Sequence, residues 1–370
     1  MNIFNAKVFR NGSFSESAIS FSDKIEGFEA KDGIDAKGAY IIPGLIDVHT
    51  HGAVGIDGSD CVAEELPELS RYYAQRGVTS FLFTTMTISR AELERQMQVV
   101  RGYERRDDGA KIAGVHLEGP FLSYAKRGAQ KAEALQRPNI EMLRSLNEIS
   151  GGKVKLITVA PEIDGALDFI REAKDVCTVS LGHSTADYEQ AMAGFKAGAS
   201  HVTHLFNGMQ PFHHRDPALV GAALDAGAYV ELICDGFHIH PAMIMATYKM
   251  FGEKLVIISD SLRCAGMPDG DYDLAGQPII VKNGQARLHD GTIAGSSSNL
   301  LEELRNVLSY GMPIEDAVRA MTETPAKDLG LENIGKLESG MSADFIVLNE
   351  KLELIATVID GKLAYGELKF

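Results

Sequence analysis

Histidines and carboxylates recur along this chain at the points where apolar runs end. The first such point is the segment Asp47–His51, which contains His49 and His51, and Glu118 follows the apolar run Ile112–Leu117. Residues i and i+2 of a strand point to the same side, so both imidazoles can reach one metal ion. Surface or packed histidines also occur as such pairs, so the pair needs support from elsewhere in the chain.

Four further apolar runs end in the same way, and the residues that follow them are His183, His204, His238 and Asp260. Histidine and carboxylate ligands without cysteine suit zinc, iron or manganese rather than a structural thiolate site. A helix-capping role for Glu118 and a packed-core role for each histidine are the alternatives. An unpaired buried carboxylate at Asp260 would be costly, and a metal ion or a water that needs a base would relieve that cost. Together these residues favour a metal site.

The apolar runs themselves predict the elements that position these residues. Most are rich in Val, Ile and Leu at successive positions, which is typical of strands buried on both faces of a parallel sheet. The runs are Ile41–Val48, Val78–Phe83, Ile112–Leu117, Val154–Val159, Val176–Leu181, Ala199–Thr203, Tyr229–Cys234 and Leu255–Ile258. Helical patterns separate most of them, at Glu64–Gln75, Arg90–Glu104, Arg137–Glu148, Asp187–Ala197 and Pro241–Met250.

This alternation predicts an α/β protein, a (β/α)8 TIM barrel, with a doubly wound open sheet as the alternative from pattern alone. The carboxyl ends of barrel strands converge on one face, where enzymes of this fold carry out their chemistry. The chain ends differ, because their short alternating runs are separated by turn signals such as Asn11-Gly12 and Asp360-Gly361. We therefore expect a small β-sandwich domain from residues 1–41 plus 336–370, with the barrel spanning 42–335.

Composition narrows the classes of partner. The 51 acidic and 36 basic side chains give a net charge of −15, which argues against nucleic acid and against a basic membrane-binding surface but not against a small anionic substrate. No apolar stretch is long enough for a membrane-spanning helix, and the first residues lack a signal-peptide pattern. The four cysteines are far apart, so we expect no disulfide framework and a cytoplasmic location.

Several motifs resemble a known family. Residues 43–51 resemble the first-strand signature of the amidohydrolase superfamily. HLEGPF (116–121), LGHSTA (181–186), THLFNGM (203–209), CDGFH (234–238) and SDS (259–261) resemble the N-acetylglucosamine-6-phosphate deacetylase family over essentially the whole chain. The resemblance implies hydrolysis of N-acetylglucosamine 6-phosphate to glucosamine 6-phosphate and acetate.

The same resemblance implies roles for individual residues. Glu118, His183 and His204 would hold the main metal, and Asp260 would be the catalytic acid and base. Some members lack the first-strand histidine pair, whereas this chain keeps His49 and His51, so a second metal sharing Glu118 is expected. The cofactor would then be one or two divalent ions per chain, with zinc or iron favoured.

Substrate contacts follow from the resemblance as well. Asn207 and Gly208 match substrate-contact positions, His238 matches a sugar-contacting histidine, and Arg215 matches a phosphate-binding position. Ile293, Ala294 and Gly295 match a loop near the substrate. Gln130 stands where some members have a histidine, and its amide can donate a hydrogen bond but cannot titrate. Lys126 and Arg127 could also help to bind the phosphate. His116 and His201 would lie behind the metal ligands. His213 and His214 could be either surface residues or part of the site.

The resemblance also indicates a homodimer in which the neighbouring chain could complete the phosphate site. Two alternative interpretations stay open. One keeps the scaffold but changes the substrate to N-acetylgalactosamine 6-phosphate or an N-acyl amino acid. The other is a sugar-phosphate-binding protein without catalysis, which would be expected to have lost a metal ligand or the base.

Overall fold

The computed structural model describes residues 1–370. It contains 22 strands and ten α-helices. The strands are β1 (Asn2–Arg10), β2 (Ser13–Phe21), β3 (Ile25–Gly27), β4 (Ile34–Asp35), β5 (Tyr40–Pro43), β6 (Leu45–Thr50), β7 (Gly52–Ala53), β8 (Ile56–Asp57), β9 (Val78–Thr85), β10 (Lys111–Phe121), β11 (Val154–Val159), β12 (Thr178–Leu181), β13 (His201–Val202), β14 (Tyr229–Ile233), β15 (Leu255–Ile258), β16 (Gly270–Leu274), β17 (Gln277–Lys282), β18 (Gln285–Leu288), β19 (Ile293–Gly295), β20 (Phe345–Leu348), β21 (Leu354–Ile359) and β22 (Lys362–Gly366).

The helices are α1 (Leu66–Ala74), α2 (Arg90–Gly102), α3 (Ile140–Ile149), α4 (Ala166–Ala173), α5 (Tyr188–Ala197), α6 (Ala218–Ala226), α7 (Pro241–Phe251), α8 (Leu300–Ser309), α9 (Ile314–Ala320) and α10 (Glu323–Asp328). Local sequence sets several of their starts. Ser89 and Glu92 form a reciprocal capping box at α2, and Asp187 and Gln190 do the same at α5. No helix is long and apolar enough to cross a membrane.

Eight parallel strands form the predicted barrel. Their order is β6-β9-β10-β11-β12-β13-β14-β15, and β15 packs beside β6, so the sheet is nearly closed. Helices α1 to α8 follow the eight barrel strands in turn. This order confirms the barrel and rules out the open doubly wound sheet. Because the strands are parallel, the carboxyl ends of all eight lie on one face of the molecule.

Strands from both chain ends form a second sheet, as expected from the turn-rich termini. Its order is β22-β21-β20-β5-β1-β2-β3, with β4 beside β1, and it has a separate core that includes Ile3, Phe21 and Phe345. The single strand expected over Ile41–Val48 is in fact two strands. Strand β5 joins the terminal sheet and β6 opens the barrel, so the apolar run continues across a change of sheet.

A third sheet was not predicted from the sequence. Strands β16 to β19 form an antiparallel meander after the last barrel strand. The Gln277 side chain of β17 donates a hydrogen bond to the main-chain oxygen of Ala129, at 2.5 Å. The meander ends in β19, which places Ile293, Ala294 and Gly295 at the carboxyl face of the barrel.

Candidate active site

A cavity of about 240 Å³ opens at the carboxyl ends of the barrel strands. It is a small pocket, suited to a small-molecule ligand. Its lining residues are His51, Met86, Glu118, Gly128, Ala129, Gln130, His183, His204, Asn207, Gly208, His238, Asp260, Thr292, Ile293, Ala294 and Gly295. The structure therefore brings together every predicted site residue except His49, which is buried directly behind the wall, and Arg215.

Glu118 lies at the centre of the cluster. Its Oε1 atom is 2.9 Å from Nε2 of His204 and 3.1 Å from Nε2 of His183. Nε2 of His51 is 3.3 Å from Oε2 of Glu118, and Nε2 of His49 is 3.5 Å from Oε1. One carboxylate thus faces two histidine pairs. The two sets, each sharing Glu118, are close enough to hold a metal ion apiece.

Hydrogen bonds behind the cluster fix how two of the imidazoles are oriented. Nδ1 of His49 donates to Oε2 of Glu231 at 2.8 Å, and Nδ1 of His183 donates to the main-chain oxygen of Lys126 at 2.8 Å. With the proton on Nδ1, the lone pair of each Nε2 atom faces Glu118. This is the orientation that a metal ligand requires.

The nitrogen atoms approach one another in a way that fits a cation. The Nε2 atoms of His183 and His204 are 3.0 Å apart, and those of His49 and His51 are 3.3 Å apart. Two lone pairs that face each other at such distances repel unless a positive charge lies between them. The donor set of imidazole nitrogens and one shared carboxylate therefore fits one or two divalent ions.

The charges in the cluster reinforce this fit. Burial lowers the pKa of His49, but Glu231, Asp260 and Glu118 outweigh burial and raise it to about 9. Burial raises the pKa of Glu118, yet His49 and the hydrogen-bonded imidazoles hold it well below its ordinary value. The pKa of Asp260 is also lowered, because His49 and His51 outweigh burial. The carboxylates are therefore ionised, and without a metal the imidazoles carry protons that a divalent ion would displace on binding.

Three of the strand-end residues have an unusual backbone conformation. His183, His204 and Asp260 have φ values of 47°, 29° and 49°, in the left-handed region that side chains other than glycine rarely adopt. Main-chain hydrogen bonds hold Asp260 in place. Its N–H donates to the main-chain oxygen of His49, and its main-chain oxygen accepts from the N–H of Ser296, both at 2.9 Å. Strain of this kind concentrates at functional sites, where the surrounding structure enforces it.

Gln130 is fixed against the cluster on both sides. Its Nε2 donates to Oε2 of Glu118, and its Oε1 accepts from the main-chain N–H of Thr87 at 2.6 Å. Gly119 makes this arrangement possible, because its φ is 97° and a Cβ atom there would lie 2.2 Å from Oγ1 of Thr87. The Gln130 amide therefore directs an N–H donor toward Glu118, and it cannot act as an acid.

His238 is oriented by a carboxylate on its own loop. Nδ1 of His238 donates to Oδ2 of Asp235 at 2.7 Å, and Oδ1 of Asp235 accepts from the main-chain N–H groups of Phe237 and His238, each at 2.8 Å. Burial raises the pKa of Asp235, but these bonds outweigh it and leave the pKa below its ordinary value. The remaining nitrogen of His238 is left for a ligand in the cavity.

Arg215 lies outside the cavity. It is exposed, and its Nη1 lies 2.9 Å from Nε2 of His214. The cavity lining contains no lysine or arginine. Lys126 contributes only its main-chain oxygen to the site, and Arg127 stacks on Tyr124 at 4.2 Å.

Glu231, which was not predicted as a site residue, is fully buried in the middle of β14. A signal was available, because a lone glutamate interrupts the apolar run Tyr229–Cys234. His116 and His201 lie behind the ligands as expected. His116 packs edge-on against His49 at 4.5 Å, and Nδ1 of His201 is 2.9 Å from Oγ of Ser180.

Comparison with known proteins agrees with this geometry. The model of the amidohydrolase family matches residues 40–364. The N-acetylglucosamine-6-phosphate deacetylase of Vibrio furnissii is 36% identical over 94% of this chain and 88% of its own. The chain belongs to the N-acetylglucosamine-6-phosphate deacetylase family of the amidohydrolases.

Two further comparisons place the chain within this deacetylase family. The N-acetylgalactosamine-6-phosphate deacetylase of Escherichia coli O157:H7 is 35% identical over 88% of this chain and 87% of its own. A mutant N-acetyl-D-glucosamine-6-phosphate deacetylase from Mycobacterium smegmatis, solved in complex with N-acetyl-D-glucosamine-6-phosphate, superposes with a TM-score of 0.92 at 29% identity. That superposition covers 98% of this chain and 99% of the other. Amidohydrolases of this family depend on metal, and the clusters around Glu118 are where this chain could bind it.

Proposed function

We propose that this protein hydrolyses the N-acetyl group of N-acetylglucosamine 6-phosphate, giving glucosamine 6-phosphate and acetate. The observation that carries the proposal is the position of Glu118 between two histidine pairs, with Asp260 beside them in one cavity. The family relatives named for this reaction support the choice of substrate.

Glu118, His183 and His204 would hold the first divalent ion, and His49 and His51 would hold a second one together with Glu118. Zinc or iron suits this combination of imidazole and carboxylate ligands. When bound, such an ion polarises a carbonyl and lowers the pKa of water, so that a nucleophile is available near neutral pH.

Asp260 is the residue that moves the proton. Its Oδ1 atom lies 3.3 Å from Nε2 of His51, and the residue is 7% exposed, at the cavity wall. Its lowered pKa keeps the carboxylate ionised, and its position at the cavity wall lets it accept a proton from the attacking water. The same carboxyl group then donates that proton to the departing amine, because the C–N bond breaks only when nitrogen leaves as a neutral amine.

Gln130 and His238 bind and orient the substrate. The Gln130 amide can donate a hydrogen bond to the acetyl oxygen, and His238 can contact a sugar hydroxyl through its free nitrogen. Asn207 and Gly208 follow barrel strand β13 and contribute a further part of the wall, as do Ile293 to Gly295 of β19. We assign these residues to the sugar ring.

The phosphate needs a cation that the cavity lining does not provide. We propose that the chain acts as a homodimer and that Arg215 binds the phosphate at the mouth of the site, contributed by the same chain or by a neighbouring one. A planar guanidinium binds phosphate through two parallel hydrogen bonds. Arg215→Ala should raise KM for the phosphorylated substrate and leave unphosphorylated N-acetylglucosamine unaffected; equal effects on both substrates would contradict the assignment.

N-acetylgalactosamine 6-phosphate is the second candidate substrate, because the chain is nearly as similar to the E. coli deacetylase for that sugar. The two substrates differ only in the configuration at C4. Side-by-side kcat/KM values for acetate release decide between them, and activity on neither would refute the proposed function.

We further propose a cytoplasmic location, which agrees with four free cysteines.

A further inference from the structure

We infer that Glu231 is a positioning residue that fixes the two metal-binding histidine sets relative to each other. This inference rests on the proposed metal centre. The Glu231 side chain itself does not line the cavity. Oε2 of Glu231 accepts from Nδ1 of His49 at 2.8 Å and from the main-chain N–H of His204 at 3.0 Å. One carboxylate oxygen thus bonds to a member of each set.

The burial of Glu231 makes this arrangement specific. The residue is 0% exposed, and its nearest basic groups are histidines: His49 and, at 3.8 Å from Oε1, His201. A buried carboxyl group with no Lys or Arg partner is costly unless strong hydrogen bonds and a nearby positive charge stabilise it. Its two donors supply the hydrogen bonds, and metal ions held by the imidazoles would supply the charge.

The two bonds act on different properties of the site. The bond to Nδ1 of His49 fixes the tautomer, so that Nε2 is unprotonated, and it makes the imidazole a stronger ligand. The bond to the N–H of His204 supports a residue whose φ is 29°, where the backbone needs external restraint. Loss of Glu231 should therefore weaken both metal sites and not only the one that contains His49.

Glu303 provides a matched control. It is also 0% exposed, and it accepts a hydrogen bond from Ser298 but none from a metal-binding histidine. Burial raises the pKa of Glu303 well above its ordinary value, which favours the neutral form, and glutamine is a neutral group of nearly the same shape. Glu303→Gln therefore tests the effect of altering a buried glutamate without altering the metal centre.

The experiment is a Co²⁺ titration of the full-length protein after its metal has been removed with a chelator. The absorption bands of bound Co²⁺ report the amount bound and the geometry around it. Glu231→Gln should weaken Co²⁺ binding by about 10- to 100-fold, the usual effect of removing such a support, and should change the band shape. Glu303→Gln should behave as the wild type, and Glu231→Asp, which keeps a carboxyl group, should recover part of the loss.

Unchanged Co²⁺ affinity in Glu231→Gln, or equal losses in the Glu231 and Glu303 variants, would overturn this inference alone. A wild-type protein that binds no Co²⁺ would overturn it together with the proposed function. A second measurement requires no change at position 231. In protein labelled with ¹⁵N-histidine, His49 should show a downfield, slowly exchanging Nδ1–H proton, assigned by its loss in His49→Gln. Absence of that signal would equally overturn the inference.

Discussion

Replacing Asp260 by asparagine tests the proton-transfer step most directly. The two side chains have the same shape, but the amide cannot accept a proton from water or return it to the leaving nitrogen. Positioned acid–base groups contribute about 10²- to 10⁴-fold to rate. Glu118 and Asp260 are the only carboxylates in the cavity lining, and Glu118 is occupied by Gln130 and the imidazoles. No other carboxylate can take over, so we expect a loss near the upper limit.

A 10⁴-fold loss corresponds to about 5 kcal/mol of transition-state stabilisation, at about 1.4 kcal/mol for each factor of ten. The assay is acetate release from saturating N-acetylglucosamine 6-phosphate, with the metal content of each preparation measured alongside. KM should change far less than kcat, because Asp260 acts on the reacting atoms rather than on the sugar.

Asp47→Asn is the control for this variant. Asp47 is also buried and accepts a hydrogen bond from Ser259 Oγ at 2.6 Å, but it lies outside the cavity lining. Burial raises its pKa to about 7, so a neutral amide there is a mild change. We expect its kcat to stay within about threefold of the wild type. An Asp260→Asn variant that keeps its metal and more than a tenth of the wild-type kcat would refute the proton-transfer role.

Three further predictions follow from other contacts. His49→Ala should reduce the metal content from two ions per chain to one, measured by elemental analysis, and an unchanged value would contradict the second site. Asp235→Asn should release His238 and raise KM by about tenfold with a smaller change in kcat. Because the pKa of Asp235 is lowered, the Asp235–His238 contact of the wild type should persist at neutral pH. It should weaken only when the solution is acidified through that pKa. Lys111→Met should lower the free energy of unfolding by about 1–3 kcal/mol, because it removes the ammonium group 2.8 Å from the buried Asp344 carboxyl group, which keeps only the main-chain N–H of Asp360 as a donor. Urea denaturation measures this loss, and an unchanged midpoint would show that the ion pair is not required.

The barrel could be predicted because its strands are buried on both faces. Strand β15, for example, is buried at all four positions, and its sequence, LVII, is a continuous apolar run. The site followed from the barrel, since His183, His204 and Asp260 each lie two residues after the end of a strand. These residues converge because of the barrel topology, and the alternation of strands and helices in the sequence predicts that topology.

Other features depend on long-range pairing that no local pattern encodes. The division of Ile41–Val48 into two strands reflects pairing of β5 with β20 at the far end of the chain. Most residues of strands β16 to β19 are exposed or only partly buried, so the apolar signal was weak and the meander that carries Ile293 to the site was not predicted. Glu231 was missed because its partners, His49 and His204, are distant in sequence and only the fold brings them together.

The pairing of β5 with β20 also determines when the terminal sheet can be completed. Phe345 pairs with Pro43, so the partner of β5 is synthesised roughly 300 residues later, or about 15–60 s at ordinary rates of translation. Until then, β5 presents an unpaired edge of the kind that promotes association between chains. A nascent chain therefore has to protect its earliest strands through the whole synthesis of the barrel, and a product that stops before β20 would leave that edge permanently open.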